Sequence, residues 1–310
     1  MNNPPKDPEA IKRQIQQLKK RKNSQWKQVW RQYKKSKAAM LGLIILLILV
    51  FLAVFADVIA DFNQRAIRTN QDARFVRPSL NNLFTPEMHL FGTDEFGRDI
   101  FARIIHGARV SLSIGIISTS IAAVIGGLLG AAAAYYGKMV DHIIMRFTDI
   151  VSSIPNILLA MAVVAALGPN LINLLIALTF ASIAIYIRLV RATVITIVGQ
   201  EFIEAARACG SRDLRIIVRH IIPNSLSPII CQMAFSSAGM ILTAAAMSYL
   251  GLGIQPPYPE WGSMLASART YIWSHSYMIT IPGIFIVLAA LSIMLIGDGL
   301  RDALDPKLKD

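Results

Sequence analysis

Acidic residues, cysteines and motifs for holding a phosphate or a metal ion are scarce or missing in this sequence. There are 19 Asp and Glu against 31 Lys and Arg, which leaves a net charge of +12. Cys209 and Cys231 are too few for a disulfide framework, so the sequence predicts two free thiols. It contains no glycine-rich phosphate loop that ends in Lys-Ser or Lys-Thr. The 5 histidines are scattered without ligand spacing, so we expect no metal site.

Charged residues of either sign are also sparse, at 16% of the chain, whereas 54% of the residues are hydrophobic. An ordinary soluble domain has about 25% charged residues. The basic residues flank apolar runs and do not alternate with aromatic residues on a polar surface, which argues against a nucleic-acid partner. The composition therefore predicts an integral membrane protein, surrounded by lipid, whose basic residues set its orientation.

Long uncharged runs predict the membrane spans. The run from Ala38 to Ala56 can cross a hydrocarbon layer of about 30 Å as a helix, and it is longer than the apolar part of a cleaved signal peptide. The run at 150–187 is too long for one helix and breaks at Gly168-Pro169-Asn170. Ser227-Pro228 is expected to start the fifth span, as a cap followed by proline at the first helical position. The remaining spans are predicted at 110–137, 229–250 and 277–297, the last bent at Pro282.

The predicted fold is all-α with six membrane-spanning helices. Its parts are a basic cytoplasmic or interfacial segment (1–37), the first span (38–60), an external loop with an interfacial helix (61–109), a core domain of five spans with a cytoplasmic loop at 199–223 (110–298), and a cytoplasmic tail (299–310). In the external loop, Thr93 or Asp94 is a candidate helix cap. Phe96, Ile100 and Ile104 then recur every four residues on the apolar face of that helix.

The distribution of basic residues predicts that both ends of the chain lie on the inner side of the membrane. Basic residues fall at the N-terminus and at 138–146, 188–219 and 301–309, whereas the predicted outer turns near Gly168 and at 251–262 have almost none. The Gly- and Pro-rich segment 251–262 predicts an ordered outer loop. The first outer loop is the exception to this charge rule, with Arg65, Arg68, Arg74, Arg77, Arg98, Arg103 and Arg109.

A polar, charge-rich segment at 199–228 separates two apolar blocks. Phe202, Ala205 and Cys209 share one face of a first short helix. Gly210 is expected to end that helix, because glycine readily adopts the left-handed conformation of a C-terminal cap.

A second short helix follows in the same segment. Its apolar side is predicted to hold Leu214, Ile217, Val218 and Ile221, and Pro223 is expected to end it. Two amphipathic helices joined at a glycine, on the basic side of a membrane, are typical of a docking element for a partner protein.

The spacing of Glu204-Ala205-Ala206, Gly210 and Ile222-Pro223 resembles the EAA loop of permease subunits of ATP-binding-cassette (ABC) importers. The family pattern has an apolar residue where this chain has His220, and Leu where it has Ile222. The segments 89–115, 251–262 and 297–306 look like the subfamily that serves dipeptide and oligopeptide (peptide/nickel) importers, and within it the C-type permease. This resemblance implies a six-helix, type I importer (MetI-like) fold. The external segment around Gly97 then either steers the next span or helps to receive a binding protein.

The resemblance also implies the partners. They are a second homologous permease, two ATPase subunits that bind ATP and magnesium, and an extracytoplasmic binding protein, all at the plasma membrane of a bacterium or archaeon. This chain itself is expected to bind no cofactor and to be no enzyme. The residues that the EAA resemblance implies for coupling to the ATPase are Glu201, Glu204, Ala205, Ala206, Arg207, Gly210, Arg212, Arg219 and Pro223.

The transported molecule is implied by the resemblance alone. Short peptides come first, with nickel chelates, glutathione and oligosaccharides as alternatives. Polar residues that could line the path are Asn156, Asn173, Thr179 and Gln232, although such residues also hydrogen-bond neighbouring helices. The predicted spans lack a mid-span ionisable residue, which disfavours a secondary transporter, and they lack a nucleophile with a base, which disfavours a membrane hydrolase. A secondary transporter and a non-transporting membrane scaffold remain the alternative classes.

Overall fold

The computed structural model describes residues 27, 29–79 and 89–304, and those residues form helices and loops without a β-sheet. Most of the predicted basic segment at 1–37, and the end of the tail from residue 305, lie outside the described residues. From Lys37 onward the α-helices are α1 (Lys37–Val54), α2 (Ala56–Ile59), α3 (Ile100–Tyr136), α4 (Lys138–Ser152), α5 (Asn156–Leu167), α6 (Leu171–Val198), α7 (Glu201–Ala208), α8 (Asp213–Ile216), α9 (Ile222–Tyr249), α10 (Trp261–Ala268) and α11 (Tyr277–Leu304).

Five helical segments of the described chain are long and apolar enough to cross a membrane. They are α1, α3, α6, the continuous segment Asp213–Tyr249, and α11. The pair α4 and α5, which is bent by 86°, gives a sixth span when it is counted as one. The predicted all-α architecture of six spans is confirmed in this form.

Helix α3 is the centre of the bundle, since it packs along α6, α9 and α1. Two glycines bring α3 close to α6. A Cβ atom on Gly130 would lie 2.5 Å from the carbonyl oxygen of Ile187, and one on Gly126 would lie 2.6 Å from Cβ of Tyr186. Small residues allow this approach in lipid, where no water-driven attraction brings helices together. The spacing of small residues in the second span is thus used for helix packing.

The predicted interfacial helix with a cap at Thr93 or Asp94 is wrong. The helix begins at Ile100, and the Asp99 carboxylate caps it by accepting from the Ala102 amide at 3.0 Å. Asp94 is not available as a cap, because its carboxylate closes a tight turn by accepting from the amides of Phe96 and Arg98, each at 2.9 Å. From Ile100 the helix then runs unbroken to Tyr136, so the predicted boundary between 109 and 110 falls inside it.

The helix boundaries predicted at two prolines near the fifth span are also wrong. Pro223 does not end a helix, and Ser227-Pro228 does not start one, since the chain is helical from Asp213 to Tyr249. A π-turn at Ile217–Ile221 precedes Pro223, and there the amide of Ile222 donates to the carbonyl of Ile217. Pro223 has no amide hydrogen to donate, and the π-turn shifts the hydrogen-bond register just before it. Pro228 lies within the helix that follows.

The break at Gly168-Pro169-Asn170 is as predicted, but the span before it is not one straight helix. Helix α5 has only 12 residues, and α4 before it points in another direction. The segment 251–262, predicted to be an ordered outer loop, is irregular as predicted up to Glu260. The buried helix α10 that begins at Trp261 was missed. Pro282 lies inside α11, and a bend at this proline stays a prediction.

Candidate coupling surface

The loop between α6 and α9 ends its first helix as the sequence predicts. Gly210 has a φ of +71°, which is the left-handed region that favours glycine. The Gly210 amide donates to the Arg207 carbonyl at 2.9 Å, and the Ser211 amide donates to the Ala206 carbonyl at 3.1 Å. These bonds satisfy carbonyls at the end of α7 and turn the chain into α8.

One fully buried side chain of α7, Ile203, anchors the helix to the protein. Ile203 is fully buried and belongs to a cluster with Ile197, Ile216 and Ile221. The predicted apolar face of α7 faces outward instead, and the Phe202 side chain is 39% exposed. A helix that keeps one buried anchor and leaves its other sides open is a surface that a partner can cover. We call α7 with the turn to Arg212 the coupling surface.

Most of the predicted coupling residues lie on or beside this surface. The exposed ones are Glu201, Glu204, Ala205, Arg207, Gly210, Arg212, Arg219 and Pro223, and Ala206 is half-buried. The roles of these residues stay predictions, since exposure by itself assigns no partner.

The predicted apolar side of the second helix is partly wrong. Ile217 and Ile221 are buried together with Ile216, but Leu214 is 71% exposed and Val218 is 52% exposed. The π-turn contains an extra residue per turn, so a face drawn at regular α-helical spacing drifts off the buried side.

Tyr135, at the C-terminal end of α3, joins the coupling surface to the bundle. Its hydroxyl donates to the Asp213 carboxylate at 2.7 Å, and the Arg207 guanidinium lies 4.9 Å from the centre of its ring. Sequence reasoning missed this residue, although an aromatic pair, Tyr135-Tyr136, at the end of a long apolar run was a signal for it. The coupling surface thus contacts the helix that packs against most of the bundle.

Two further ion pairs tie α6 to α4. Arg191 donates to Asp141 at 2.7 Å, and Arg188 donates to Asp149 at 3.0 Å. The sequence placed these arginines on the basic side of the membrane but did not pair them with particular acids.

The structure does not bring the four predicted path residues together. Asn173 binds the α5–α6 turn through its amide group, which donates to the carbonyls of Leu167 and Gly168 at 2.8 and 2.9 Å. Thr179 is buried and donates to the Ser118 carbonyl of α3 at 3.4 Å.

The other two path candidates lie elsewhere. Gln232 donates to Ser236 on its own helix at 3.1 Å, and Asn156 is exposed as the first residue of α5. A role for any of the four in transport stays a prediction.

The arginine-rich segment before α3, which the sequence predicts to be the first outer loop, contains a buried ionic cluster. Arg98 donates to Asp94 at 2.6 Å, and Arg103 donates to the carbonyls of Ala66 at 2.8 Å and Pro257 at 3.2 Å. Burial, reinforced by neighbouring Asp94, raises the pKa of Glu95. The charges of Arg98 and Arg103 are therefore matched inside the protein.

The short helix α10 is fixed to α3 by Glu260 and Trp261. The Glu260 carboxylate caps α10 by accepting from the amides of Gly262 and Ser263, each at 2.8 Å, and burial raises its pKa. The Trp261 indole N–H donates to the Ile104 carbonyl at 3.0 Å. Among the described residues no group of three or more His, Cys, Asp or Glu side chains could hold a metal ion.

Comparisons with known proteins show the family to which this helical bundle belongs. Residues 111–310 match the family described as "Binding-protein-dependent transport system inner membrane component". Residues 24–80 match the "N-terminal TM domain of oligopeptide transport permease C". The class of protein is therefore a multi-pass membrane permease.

Individual relatives define the family within this class. The chain is 46% identical to the dipeptide transport system permease protein DppC of Alkalihalophilus pseudofirmus, over 92% of this chain and 91% of that one. It is 44% identical to the di/tripeptide permease DppC of Pseudomonas aeruginosa (92% and 93%), and 41% identical to the glutathione permease GsiD of an Escherichia coli strain (92% and 91%). The chain belongs to the dipeptide and oligopeptide permease family of ABC importers.

A solved structure agrees at the level of the fold. A chain of the inward-facing MetNI methionine ABC transporter superposes with a TM-score of 0.52 at 18% identity, over 65% of this chain and 96% of that one. The expected type I importer (MetI-like) fold is confirmed.

Proposed function

We propose that this chain forms half of the membrane path of an ATP-driven importer for short peptides, which an extracytoplasmic binding protein delivers. The names of its relatives support a peptide substrate, and one of them supports glutathione as the second candidate. Nickel chelates and oligosaccharides remain further alternatives from the resemblance. The other half of the path is a second homologous permease. ATP and magnesium are bound by two partner ATPase subunits and not by this chain.

The observation that carries the proposal is the exposure of α7 on a rigid support. Gly210 fixes the end of the helix, and Ile203 anchors it to the bundle. When ATP closes the two ATPase subunits, their surface moves α7, and the movement reaches α3 through the buried cluster and through Tyr135. The nucleotide thus biases a two-state bundle between inward-open and outward-open forms.

This mechanism requires the coupling surface to lie in the cytosol, with both ends of the chain on the same side. The described basic residues support that orientation, since Arg188, Arg191, Arg207, Arg212 and Arg219 lie at the inner end of α6 or in the loop after it. The membrane is the plasma membrane of a bacterium or archaeon.

Glu204→Lys and Gly210→Arg in the reconstituted complex test the coupling role. Either substitution is expected to abolish peptide uptake while the permease still inserts into the membrane. ATP hydrolysis is then expected to be uncoupled, so that the loaded binding protein no longer stimulates it. The matched control is Gly210→Asn, because asparagine tolerates the left-handed conformation at a strain of less than about 1–2 kcal/mol. Full transport by Glu204→Lys and Gly210→Arg would reject the role.

The alternative classes are separated by reconstitution. Uptake driven by an ion gradient in liposomes that contain this chain alone would identify a secondary transporter. A whole complex that binds its partners and moves no member of a panel of peptides, nickel chelates, glutathione and oligosaccharides would identify a scaffold. We expect ATP-dependent peptide uptake by the whole complex only.

A further inference from the structure

Tyr135 contacts both ends of the turn that the coupling surface makes at Gly210. Arg207, in the last turn of α7, places its guanidinium group 4.9 Å from the centre of the Tyr135 ring. Asp213, the first residue of α8, accepts the hydrogen bond of the Tyr135 hydroxyl at 2.7 Å. One side chain of α3 therefore touches the helix before the turn and the helix after it. We call Tyr135, Arg207 and Asp213 the latch.

The hydrogen bond of the latch supplies a constraint that the apolar anchor of α7 lacks. Ile203 is buried among other aliphatic side chains. Hydrophobic contact is not directional, so it holds a short helix in place without fixing its rotation. A hydrogen bond at 2.7 Å is directional, and its charged acceptor makes it stronger than a bond between neutral groups. The latch is thus suited to fix the orientation of α7 and α8, whereas Ile203 fixes the position of α7.

The latch is attached to a corner of the chain that has one defined conformation. Tyr135 lies in the last turn of α3, and α4 begins at Lys138. Gly137 has a φ of +62° and Lys138 has a φ of +44°. The left-handed region is unfavourable for a residue with a Cβ atom, and such a conformation persists only where the surrounding structure determines it. The corner between α3 and α4 is therefore a firm base for Tyr135.

Helix α6 holds both helices that meet at this corner. Arg191 donates to the Asp141 carboxylate of α4 at 2.7 Å. The backbone of α6 also lies against α3 there, since a Cβ atom on Gly130 would be 3.1 Å from the Arg191 amide nitrogen. A force applied to Tyr135 is consequently passed to α3, α4 and α6 together and does not merely bend the corner.

We propose that Tyr135 is a positioning residue for coupling, because its hydroxyl, through Asp213, holds the coupling surface in the orientation from which movement of the ATPases reaches the spans. The inference rests on the proposed function and adds to it the contact on which the efficiency of coupling depends. Without the hydroxyl, α7 keeps its apolar anchor, and the ATPases still bind and hydrolyse ATP. Part of their movement is then lost as rotation of α7 against the bundle, so fewer peptides are imported per ATP.

The neighbouring tyrosine provides a matched control. Tyr136 is 49% exposed, and its ring meets that of Tyr135 edge-on at 5.2 Å. Within the described part of the chain its hydroxyl makes no hydrogen bond. Tyr135→Phe and Tyr136→Phe therefore each remove one hydroxyl from adjacent residues, and only the first removes the bond to Asp213. Tyr135→Phe also keeps the ring, and with it the contact to Arg207.

Uptake and ATP hydrolysis are measured together in the reconstituted complex, with a radiolabelled dipeptide and the binding protein. Tyr135→Phe is expected to lower the number of peptides imported per ATP roughly three- to tenfold, because a contact contributes to coupling no more than its own free energy. Tyr136→Phe is expected to keep the wild-type ratio. A merely structural role would lower the yield or melting temperature of the complex without changing this ratio. An unchanged ratio in Tyr135→Phe, or an equal loss in Tyr136→Phe, overturns the inference.

A double-variant cycle assigns the effect to the hydrogen bond. Asp213→Asn keeps an oxygen acceptor and is expected to retain most of the ratio, whereas Asp213→Ala is expected to lower it as Tyr135→Phe does. The double variant of Tyr135→Phe and Asp213→Ala is expected to be no worse than the more damaging single variant, since both changes remove the same contact. Losses that multiply would show that the two residues act separately, and the latch would be rejected.

Hydrogen exchange tests the latch without any transport. Backbone amides at 207–216 are expected to exchange faster in complexes with Tyr135→Phe than in the wild type or Tyr136→Phe, because the turn then opens more often. Equal exchange in all three complexes overturns the inference. A wild-type complex that imports no peptide refutes the proposed function instead, and the exchange at 207–216 is measured in either case.

Discussion

At the scale of single residues, the segment before α3 depends on charges that are matched away from water. Arg103 is 3% exposed, and its guanidinium group contacts two loops that are far apart in the sequence. Asp94 lies 3.6 Å from the same guanidinium group. Removing the arginine would leave the carboxylate and both carbonyls without this donor.

Arg103→Ala is expected to destabilise the protein by about 3 kcal/mol, because it removes a buried positive charge from beside Asp94 and leaves the carbonyls of Ala66 and Pro257 without their donor. Arg103→Lys is expected to recover only part of the loss, since one ammonium cannot reproduce the geometry of a guanidinium. Thermal unfolding of the detergent-solubilised complex measures both. The control is Arg269→Ala at an exposed arginine. Equal effects of the Arg103 and Arg269 variants would show that burial of the Arg103 charge does not matter.

Glu95 gives the same cluster a dependence on pH. Burial and Asp94 raise the pKa of Glu95, so the folded protein holds this proton more tightly than the unfolded chain does. The stability that Glu95 contributes is therefore fully present below its ordinary pKa of 4.5 and is lost as the pH rises through the raised value. Among the described residues, one of its carboxylate oxygens has no hydrogen-bond partner.

Glu95→Gln is expected to raise the melting temperature at about pH 8, because the amide stays neutral where the carboxyl must ionise. The difference from wild type is expected to shrink as the pH falls toward about 4.5. Thermal unfolding across this range checks the sign. A variant that is less stable at the alkaline end, or a difference that does not change with pH, contradicts the assignment.

At the scale of helices, the bundle depends on close approach at particular glycines. Gly130 faces the backbone of α6, whereas no heavy atom lies within 4 Å of a Cβ atom built on Gly239 of α9. Both glycines lie inside long helices, so substitution by alanine has the same effect on helix propensity at each. The two sites differ in whether the added methyl group has room.

Gly130→Ala is expected to destabilise the bundle by about 1–3 kcal/mol, because the new methyl group must push α6 away from α3. Gly239→Ala is expected to stabilise it by about 0.5–1 kcal/mol, because alanine has the better helix propensity and room to fit. Unfolding of the two variants in the same detergent gives the comparison. Similar effects with the same sign would mean that α3 and α6 are not in close contact at Gly130.

The helices also show where periodicity fails as a guide. The apolar face of the second short helix in the coupling loop was predicted at regular spacing, whereas Leu214 and Val218 are exposed beside and within the π-turn at Ile217–Ile221. Pro223 and Pro228 were interpreted as helix boundaries, whereas the surrounding hydrogen bonds accommodate both in one helical segment. Local rules describe an isolated segment, and packing against neighbours decides whether a break is tolerated.

At the scale of the whole molecule, orientation in the membrane determines whether the coupling surface can meet an ATPase. The two cysteines report on it. Cys209 is exposed at the end of α7, and Cys231 is buried in α9.

A membrane-impermeant maleimide is expected to label Cys209 in inside-out vesicles but not in intact cells, since basic loops stay on the cytosolic side. Cys231 is expected to stay unlabelled by the maleimide in both preparations until the protein is unfolded. The Cys209→Ser variant is the control for background labelling. Modification of Cys209 in intact cells would place the coupling surface outside, and the proposed mechanism would then be wrong.

The sequence by itself determined the membrane class, the number of spans, the turn at Gly168 and the left-handed cap at Gly210. These features follow from the length of the apolar runs, from the positions of charged residues and from backbone preferences that act over a few residues. Only the tertiary structure decided that Arg98 and Arg103 are buried partners of Asp94, that Tyr135 contacts the coupling loop, and that α4 and α5 meet at a sharp bend. Those features join residues far apart in the chain, and their energies depend on which surfaces exclude water, a property that no local pattern contains.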